Sequence, residues 1–461
     1  MTKHVFVLLM VVKLAFSQVD MGNAMAAGRG GVATTFNYNY EALGINPANL
    51  GWKKNNTLSL GAMRYGISIQ SEALSLGKLW KVLLKPSDEF SESEKETFKE
   101  LFVTPNGLNL ITHTHWISGS FQLDKIGGIA VELSDKKLAH IGLNNNFSDI
   151  VFNGSESYVF QDLALMSQNI SDVFSETRVG YTHYRFLNIS YGRELLSIES
   201  KDKKSLKLYA GLGLKRVWGL GLLEYNAVDG EFTMVSSFSD NYDINYGSLN
   251  QLGPSSLSGL FDATGKGYGL DFGLSLFVGN TIKVGMSIID FGSITWDKML
   301  YEGKDTTLQL PDSIVFTGIN SFNLTSSSQQ LFSENSVFVF TPSEYYKSKL
   351  PAKIRMGVGL NISKRIEVGA DLIIPLNRKN VNLQKMYFAT GAEINLFGTF
   401  KLSTGFGGNK TYGYSIPLGI SMGVFGITEF QFGTNDLFTL LGRNQNPNLS
   451  MAFAALKFNL F

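Results

Sequence analysis

Long stretches of the sequence carry an apolar residue at every second position. In Leu206–Leu214 the even positions are Leu, Leu, Ala, Leu and Leu, while the odd ones are Lys207, Tyr209, Gly211 and Gly213. Tyr268–Val278 sets Tyr, Leu, Phe, Leu, Leu and Val against a face that begins Gly269, Asp271, Gly273, Ser275. Ile282–Ile288 and Ile354–Ile362 repeat the pattern, and so do Ile366–Ile374, Phe388–Leu396, Phe400–Phe406 and Tyr412–Val424. Period two with one apolar face marks a half-buried strand. The runs are roughly 9–16 residues long, where soluble strands average ~5–6 and strands that cross a bilayer need ~9–11. No charge interrupts their apolar faces, as expected if those faces meet lipid, where a Lys or Arg at mid-bilayer costs ~2–4 kcal/mol. The expected fold is therefore all-β: a transmembrane antiparallel β-barrel.

Strands are expected near 57–70, 109–122, 127–134, 177–193, 205–218, 219–228, 231–246, 266–279, 281–296, 352–362, 365–377, 384–396, 398–407, 412–424, 425–435 and 451–461. The patterns at 219–228 and 425–435 are weak, so the barrel has about 14 strands, within a range of 14–16. The gaps at 71–108, 135–176, 247–265 and 297–351 are long and 436–450 is intermediate, whereas 123–126, 278–281, 363–364, 397–398 and 424–425 are tight. If strands alternate in direction, every long gap falls at one end, the outer-loop arrangement of outer-membrane barrels. Only 194–204 is long for the other end. Within the gaps, Pro86–Phe102 reads as a short amphipathic helix with acidic first turns, and Ser157–Phe174 as a second one.

The N-terminus predicts export. Lys3 and His4 precede the apolar run Val5–Val12, and Ala15, Phe16 and Ser17 offer small residues at the −3 and −1 positions of a cleavage site. Residues 1–17 are thus expected to be a signal peptide, although Lys13 interrupts the apolar region. No later stretch reaches the 18 apolar residues of a membrane-spanning helix. With 40 Lys+Arg against 39 Asp+Glu, the chain lacks the basic excess of a nucleic-acid binder. The absence of Cys excludes disulfides, thiolate metal sites, iron–sulfur clusters and Cys nucleophiles.

Residues 18–56 form a different kind of segment before the barrel at 57–461. Gly28-Arg29-Gly30-Gly31 leads to Phe36, Tyr38 and Tyr40 and then to Ile45-Asn46-Pro47-Ala48-Asn49-Leu50-Gly51. The glycines permit close backbone approach and Pro47 fixes a turn. A Gly-Gly element and an Asn-Pro-Ala motif before the first strand of an exported barrel resemble the FadL-type outer-membrane proteins. Within that superfamily the chain is most similar to Bacteroidota barrels related to PorV, a type IX secretion component. The resemblance also rests on Gly265–Gly273 (GKGYGLDFG), Ser287–Trp296 (SIIDFGSITW) and Leu350–Leu360 (LPAKIRMGVGL). It implies a 14-stranded barrel in the bacterial outer membrane whose N-terminal segment folds back into the lumen as a plug. That role is carried onto Gly30, Gly31, Asn46, Pro47 and Ala48 alone. Beside it stands the plainer reading of a turn seating the chain under strand one.

The expected inward face carries Lys207, Lys215, Lys283, Arg355 and Lys401 against Asp271, Glu367, Asp371, Glu393 and Glu429. Balanced charge is unlike the single-sign ring of an ion-selective pore and suits salt-bridged contact with a plug. The terminal Phe461 follows the habit of assembled barrels, but it falls out of phase with Leu456, Phe458 and Leu460. No catalytic constellation is present. His113 and His115 share a strand face without a third ligand at metal-binding spacing. Gly405–Lys410 lacks the Gly before Lys and the strand-to-helix setting of a phosphate loop, and neither HExxH nor GxSxG occurs. No enzyme activity, cofactor, metal or nucleic-acid partner is expected. The expected partners are outer-membrane lipid, the barrel assembly machinery, and a hydrophobic ligand or a protein partner. Two functions follow: a plugged channel for passive uptake of hydrophobic small molecules, or a barrel that docks exported proteins, as PorV-type proteins do. A continuous apolar tunnel would favour the first and a closed barrel the second.

Overall fold

A computed structural model describes residues 22–52, 57–71, 90–103, 107–123, 126–198, 205–242, 262–309, 337–377, 386–409, 413–424, 428–441 and 448–460. The expected signal peptide at 1–17 and the terminal Phe461 lie outside them. The strands are β1 (Leu58–Gln70), β2 (Leu108–Leu123), β3 (Gly127–Gly142), β4 (Thr177–Ile198), β5 (Leu206–Val228), β6 (Glu231–Phe238), β7 (Gly265–Val278), β8 (Ile282–Trp296), β9 (Leu300–Gly303) and β10 (Phe340–Pro342). They continue with β11 (Tyr346–Lys349), β12 (Lys353–Asn361), β13 (Ile366–Pro375), β14 (Tyr387–Asn395), β15 (Phe400–Asn409), β16 (Gly413–Ser415), β17 (Leu418–Val424), β18 (Thr428–Thr434) and β19 (Asn448–Leu460).

Fourteen of these close a ring in the order β1, β2, β3, β4, β5, β7, β8, β12, β13, β14, β15, β17, β18, β19, each antiparallel to its neighbours, with β19 paired back to β1. Closure leaves no strand edge, which a sheet in lipid requires. The pattern of burial is that of a soluble protein turned inside out. Leu212, Leu214, Phe272, Leu274, Val284, Met286, Met356 and Val358 are exposed on the outer wall, while Lys215, Asp271, Lys283, Arg355 and Asp371 are buried within. No helix among the described residues is long and apolar enough to cross a membrane.

Two of the sixteen expected strands are not separate staves. Residues 219–228, expected as a separate strand, continue β5 to 23 residues because the 22-residue β4 pairs with it past His183. Asp229 and Gly230, both at positive φ, then reverse the chain in the way Asp-Gly hairpins do. β6 therefore pairs with the far half of β5 alone, and with β9 instead of a barrel neighbour. The segment 425–435, weak in sequence, is a true stave as β18. β3 runs on to Gly142, so the long connection expected from 135 begins at 143.

The long connections gather at one end, taken here as the outer end. Ser91 caps the helix Glu92–Phe102 in a capping box with Glu94, which shortens the helix expected from Pro86. The helix expected over 157–174 is instead broken into turns and two short helices, Leu163–Met166 and Ile170–Val173. Asp162 and Asn169 precede them as N-cap residues. An unforeseen helix, Asn145–Asn153, carries Phe147 and Phe152 into an aromatic cluster with Phe174, Tyr225, Phe338 and Phe340. Phe147 stacks on Phe174 with ring centroids 4.7 Å apart. Lys99 ties the first helix to this cap through Asp149 at 2.9 Å.

Placing a charge on the outer wall should separate lipid contact from solvent contact. Leu274→Arg should lower unfolding stability in lipid vesicles by ~2–4 kcal/mol. Leu163→Arg in the cap, at 83% exposure, should stay within about 0.5 kcal/mol of the parent in the same denaturant titration.

Candidate functional site

Residues Gly22–Trp52 lie within the ring and are buried almost throughout. Their path is set by small local devices. Asn23 accepts from the Ala26 N–H at 2.9 Å and starts a one-turn helix, Ala24–Ala27. Gly30 and Gly31 then turn the chain at φ +68° and +104°, a region glycine enters without strain. Asn46 caps a 3₁₀ turn over Pro47–Gly51 by accepting from the Ala48 N–H at 3.2 Å.

The same residues bind the wall. Asn46 Nδ2 donates to Leu274 O and Ser275 Oγ, both at 3.1 Å, and Ser275 Oγ donates to Asn49 Oδ1 at 2.6 Å. Asn49 Nδ2 donates back to Thr34 O (3.0 Å) and Asn37 O (2.8 Å), stitching the segment to itself. Pro47 runs so close to β5 that a Cβ at Gly211 would lie 2.3 Å from its carbonyl carbon, so only glycine fits there. Ala48 is fully buried beside Trp52 and Tyr209. Gly30 O accepts from Tyr387 at 2.6 Å and Gly31 O from Arg355 Nη2 at 2.8 Å.

Charge supplies the strongest attachments. Asp371 Oδ2 accepts the Ala33 and Thr34 N–H groups, each at 3.0 Å, and the Thr34 hydroxyl at 2.6 Å, while pairing with Arg355 at 2.8 Å. Arg29 pairs with Glu393 and lies 4.6 Å over the Phe36 ring. Lys283 pairs with Glu367 and donates to Thr35 O at 3.3 Å. Glu41 of the segment meets Lys457 at 3.0 Å. Lys457 also reaches Glu429 at 3.3 Å, and Glu429 holds Lys401 at 3.2 Å. On the wall itself, Lys215 pairs with Asp271 at 2.9 Å and with Asp290, which also takes Lys136 at 3.3 Å. Lys207 stands apart, half-buried and without an ion pair among the described residues.

Several of these groups escaped the sequence reading. Arg29 and Glu41 sit in the segment, where no alternation marks them, and Lys457 lies between the apolar Leu456 and Phe458. Asp290 follows a bulge: Leu270 faces Phe291 but Phe272 faces Ile288, so two residues of β8 oppose Asp271 alone. The bulge holds Asp290 at φ +56° and turns its carboxylate inward. A positive φ at Met63 and a register shift between His115 and Ile117 mark where the inward faces of β1 and β2 change phase, bringing Arg64 inward beside His113 and His115. Register then supplies the carboxylate that sequence spacing did not offer the two histidines. Glu132 of β3 pairs with Arg64 at 2.9 Å and with His115 Nδ1 at 2.7 Å. The expectation that no third ligand-type group stands near them is corrected. The cavity left beside the segment is about 30 Å³, lined in part by Gly22, Ile45, Arg64, Lys136, Lys215 and Arg355.

Removing a buried partner from this lattice should be costly. Asp371→Ala leaves the Arg355 charge and two backbone N–H groups unsatisfied and should cost about 3–5 kcal/mol. Limited proteolysis should then cut within 22–52, whereas Lys207→Ala should leave both the cleavage pattern and the denaturation midpoint unchanged.

Comparison with known proteins places the chain as follows. A family model described as "Family of unknown function (DUF5723)" matches residues 47–434. No curated protein matches. Among solved structures the chain is similar to the Ralstonia pickettii toluene transporter TbuX, at 12% identity and TM-score 0.43, over 95% of this chain and 98% of that one. It is also similar to the P. putida toluene transporter TodX (11% identity, TM-score 0.43, 94% and 97% covered). A third is a Pseudomonas aeruginosa FadL homologue (10% identity, TM-score 0.43, 97% and 100% covered).

Proposed function

The chain belongs to DUF5723, a family of unknown function, and from its own geometry we propose that it is a FadL-like channel of the bacterial outer membrane, taking up small hydrophobic molecules passively. Residues 18–56 act as its plug. One observation carries this reading: the lumen is filled by a segment that belongs to no barrel strand and is held by ion pairs, hydrogen bonds and side-chain packing, with no disulfide to the wall. Such a segment can leave its seat without breaking the ring. The 30 Å³ cavity admits a water or two, while an aromatic ring occupies a cavity of about 150 Å³. Passage therefore requires the segment to shift. At the outer end, the buried aromatic cluster around Phe147, Phe174 and Phe338 makes the interior of the cap apolar.

A second reading, a docking subunit for exported proteins, draws on two other features. The cavity beside the segment is small and lined in part by Arg64, Lys136, Lys215 and Arg355, and Leu163 and Tyr345 on the outer connections are 83% and 67% exposed. Plug movement separates the two. A Cβ at Gly359 would lie 3.2 Å from Thr35 Cβ, close to the ~3.8 Å of a disulfide, and the parent chain has no cysteine to interfere. Thr35→Cys with Gly359→Cys should, when oxidised, cut uptake of radiolabelled toluene or fatty acid by intact cells at least tenfold, with recovery on reduction. Uptake equal to that of cells lacking the protein would sink the channel reading. A stoichiometric co-purifying exported protein would then support docking.

A further inference from the structure

Charge appears on the outward face of the wall in one sector, and strand alternation identifies the residues that carry it. Lys215 and Val217 of β5 point into the lumen, so Arg216 and Trp218 point out. Tyr184 and Phe186 of β4 point in, so Arg185 points out. Asp135 and Lys137 flank the inward Lys136 on β3, and Lys266 of β7 follows Gly265, which lies against Trp296 in the interior. Register lines these residues up. Asp135, Arg185, Trp218 and Lys266 stand opposite one another across four strands, and Leu133, Leu187, Arg216 and Tyr268 form the row beneath. Along β7, the ten residue steps from Val278 at the tight turn to Tyr268 rise about 25 Å at ~3.3 Å each and a tilt of ~40°, the height of a barrel's apolar band. The two rows therefore stand where that band meets the headgroups of the outer leaflet.

These rows, with Lys137 above them, hold four cations against one carboxylate. Asp135 is taken up by Arg185, accepting from Nε at 2.6 Å and from Nη2 at 2.7 Å. Arg216 and the exposed Lys266 have no ion pair among the described residues. The Arg216 guanidinium lies 4.5 Å over the Tyr268 ring and 5.9 Å from that of Trp218, contacts that hold it in place. One of its five N–H donors reaches Gly267 O at 3.4 Å; the others have no partner among the described residues. Elsewhere the wall differs: on β12–β15 the outward positions toward the same end are Ile354, Ile374, Phe388 and Phe406. A general anchoring girdle would recur around the ring, whereas unmatched charge confined to one sector points to a ligand.

We propose that Arg216 and Lys266 bind a phosphate group of a phosphorylated glycolipid in the outer leaflet. Its sugar meets Trp218 and Tyr268, and its acyl chains lie on the exposed Leu212, Leu214, Phe272 and Leu274 below. The planar fork of arginine takes two phosphate oxygens at once, and lysine adds a compact point charge. A lipid fits better than a free anion because the cations adjoin exposed apolar wall, which only a ligand with chains can cover. The site rests on the outer-membrane placement proposed above and is independent of uptake.

The test is lipid retention by the full-length exported protein, purified in detergent, freed of lipid by exchange and mixed with bisphosphorylated lipid A for native mass spectrometry. One lipid A per chain should stay bound, and the dephosphorylated lipid should bind at least tenfold more weakly. Arg216→Gln combined with Lys266→Gln should weaken binding at least tenfold while the protein still migrates as a folded, heat-modifiable barrel. Lys266→Gln alone, at an exposed position, should weaken it at least threefold and decides the matter if the double variant does not fold. Lys364→Gln, exposed at the opposite end, should bind as the parent does. Equal retention of the dephosphorylated lipid, displacement of lipid A by millimolar inorganic phosphate, or unchanged affinity in the folded variants would overturn the proposal. Protein found in the inner membrane or soluble periplasm would sink the membrane placement as well, whereas outer-membrane protein that retains no lipid A sinks this site alone.

Discussion

A charge buried in a narrow lumen must find a partner, and the interior of this barrel is organised by that requirement. Removing one member of a buried pair costs about 3–5 kcal/mol, whereas the intact pair adds little net stability over apolar packing. Such pairs fix arrangement more than they add strength. Asp371 illustrates the point. One carboxylate oxygen gathers Arg355 from the neighbouring strand and two backbone N–H groups of the lumen segment, so strand register and segment position are set by the same atom. Glu429, Lys457 and Glu41 form a second such chain across β18, β19 and the segment.

The outer surface obeys the complementary rule. Each stave presents Leu, Val, Met, Phe or Ile outward, and the closed ring leaves no backbone donor at an edge. Lipid supplies no hydrophobic gain for packing elements together, so specificity has to come from inside, from hydrogen bonds and charge. At the outer end the balance reverses. There the wall rises on β4, β5 and β6 and the helices pack as an ordinary aromatic core, with Phe147 at its centre.

How much of this could be read in the sequence follows from the same physics. Alternation reports which residues face lipid, so the barrel, its strand lengths and the end that carries the long connections were legible from runs such as Leu206–Leu214. The stave number was less so, because the alternation at 219–228 is weak while β4 holds these residues in one strand with 206–218. Inward charges were legible wherever alternation was regular, as at Lys283 and Arg355. They were lost where the inward face changes phase, at Asp290 and Arg64, without a local marker in the sequence. Partners were not legible at all. Glu132 reaches His115 only through the register of β2 against β3, seventeen residues apart in sequence. Register is set by the whole ring.

The segment 22–52 presents the sharpest case of function and stability sharing residues. Its seat demands glycine on the wall at Gly211, because the Pro47 backbone runs against β5, and a glycine in a strand weakens that strand. A barrel built only for strength would carry a larger residue there and no segment. In the proposed channel, a segment held by a close fit and by pairs that each cost several kcal/mol to break singly would exchange between two states. Seated, every charge is matched. Displaced, it must carry its own charges, Arg29 and Glu41, out together with their shell, leaving Glu393 and Lys457 to water in the opened lumen. Water entering the lumen lowers that cost, because a solvated ion no longer needs its partner. In the proposed channel, opening would therefore be cooperative: water entering past Gly31 and Arg355 would weaken the remaining attachments, disfavouring partial displacement.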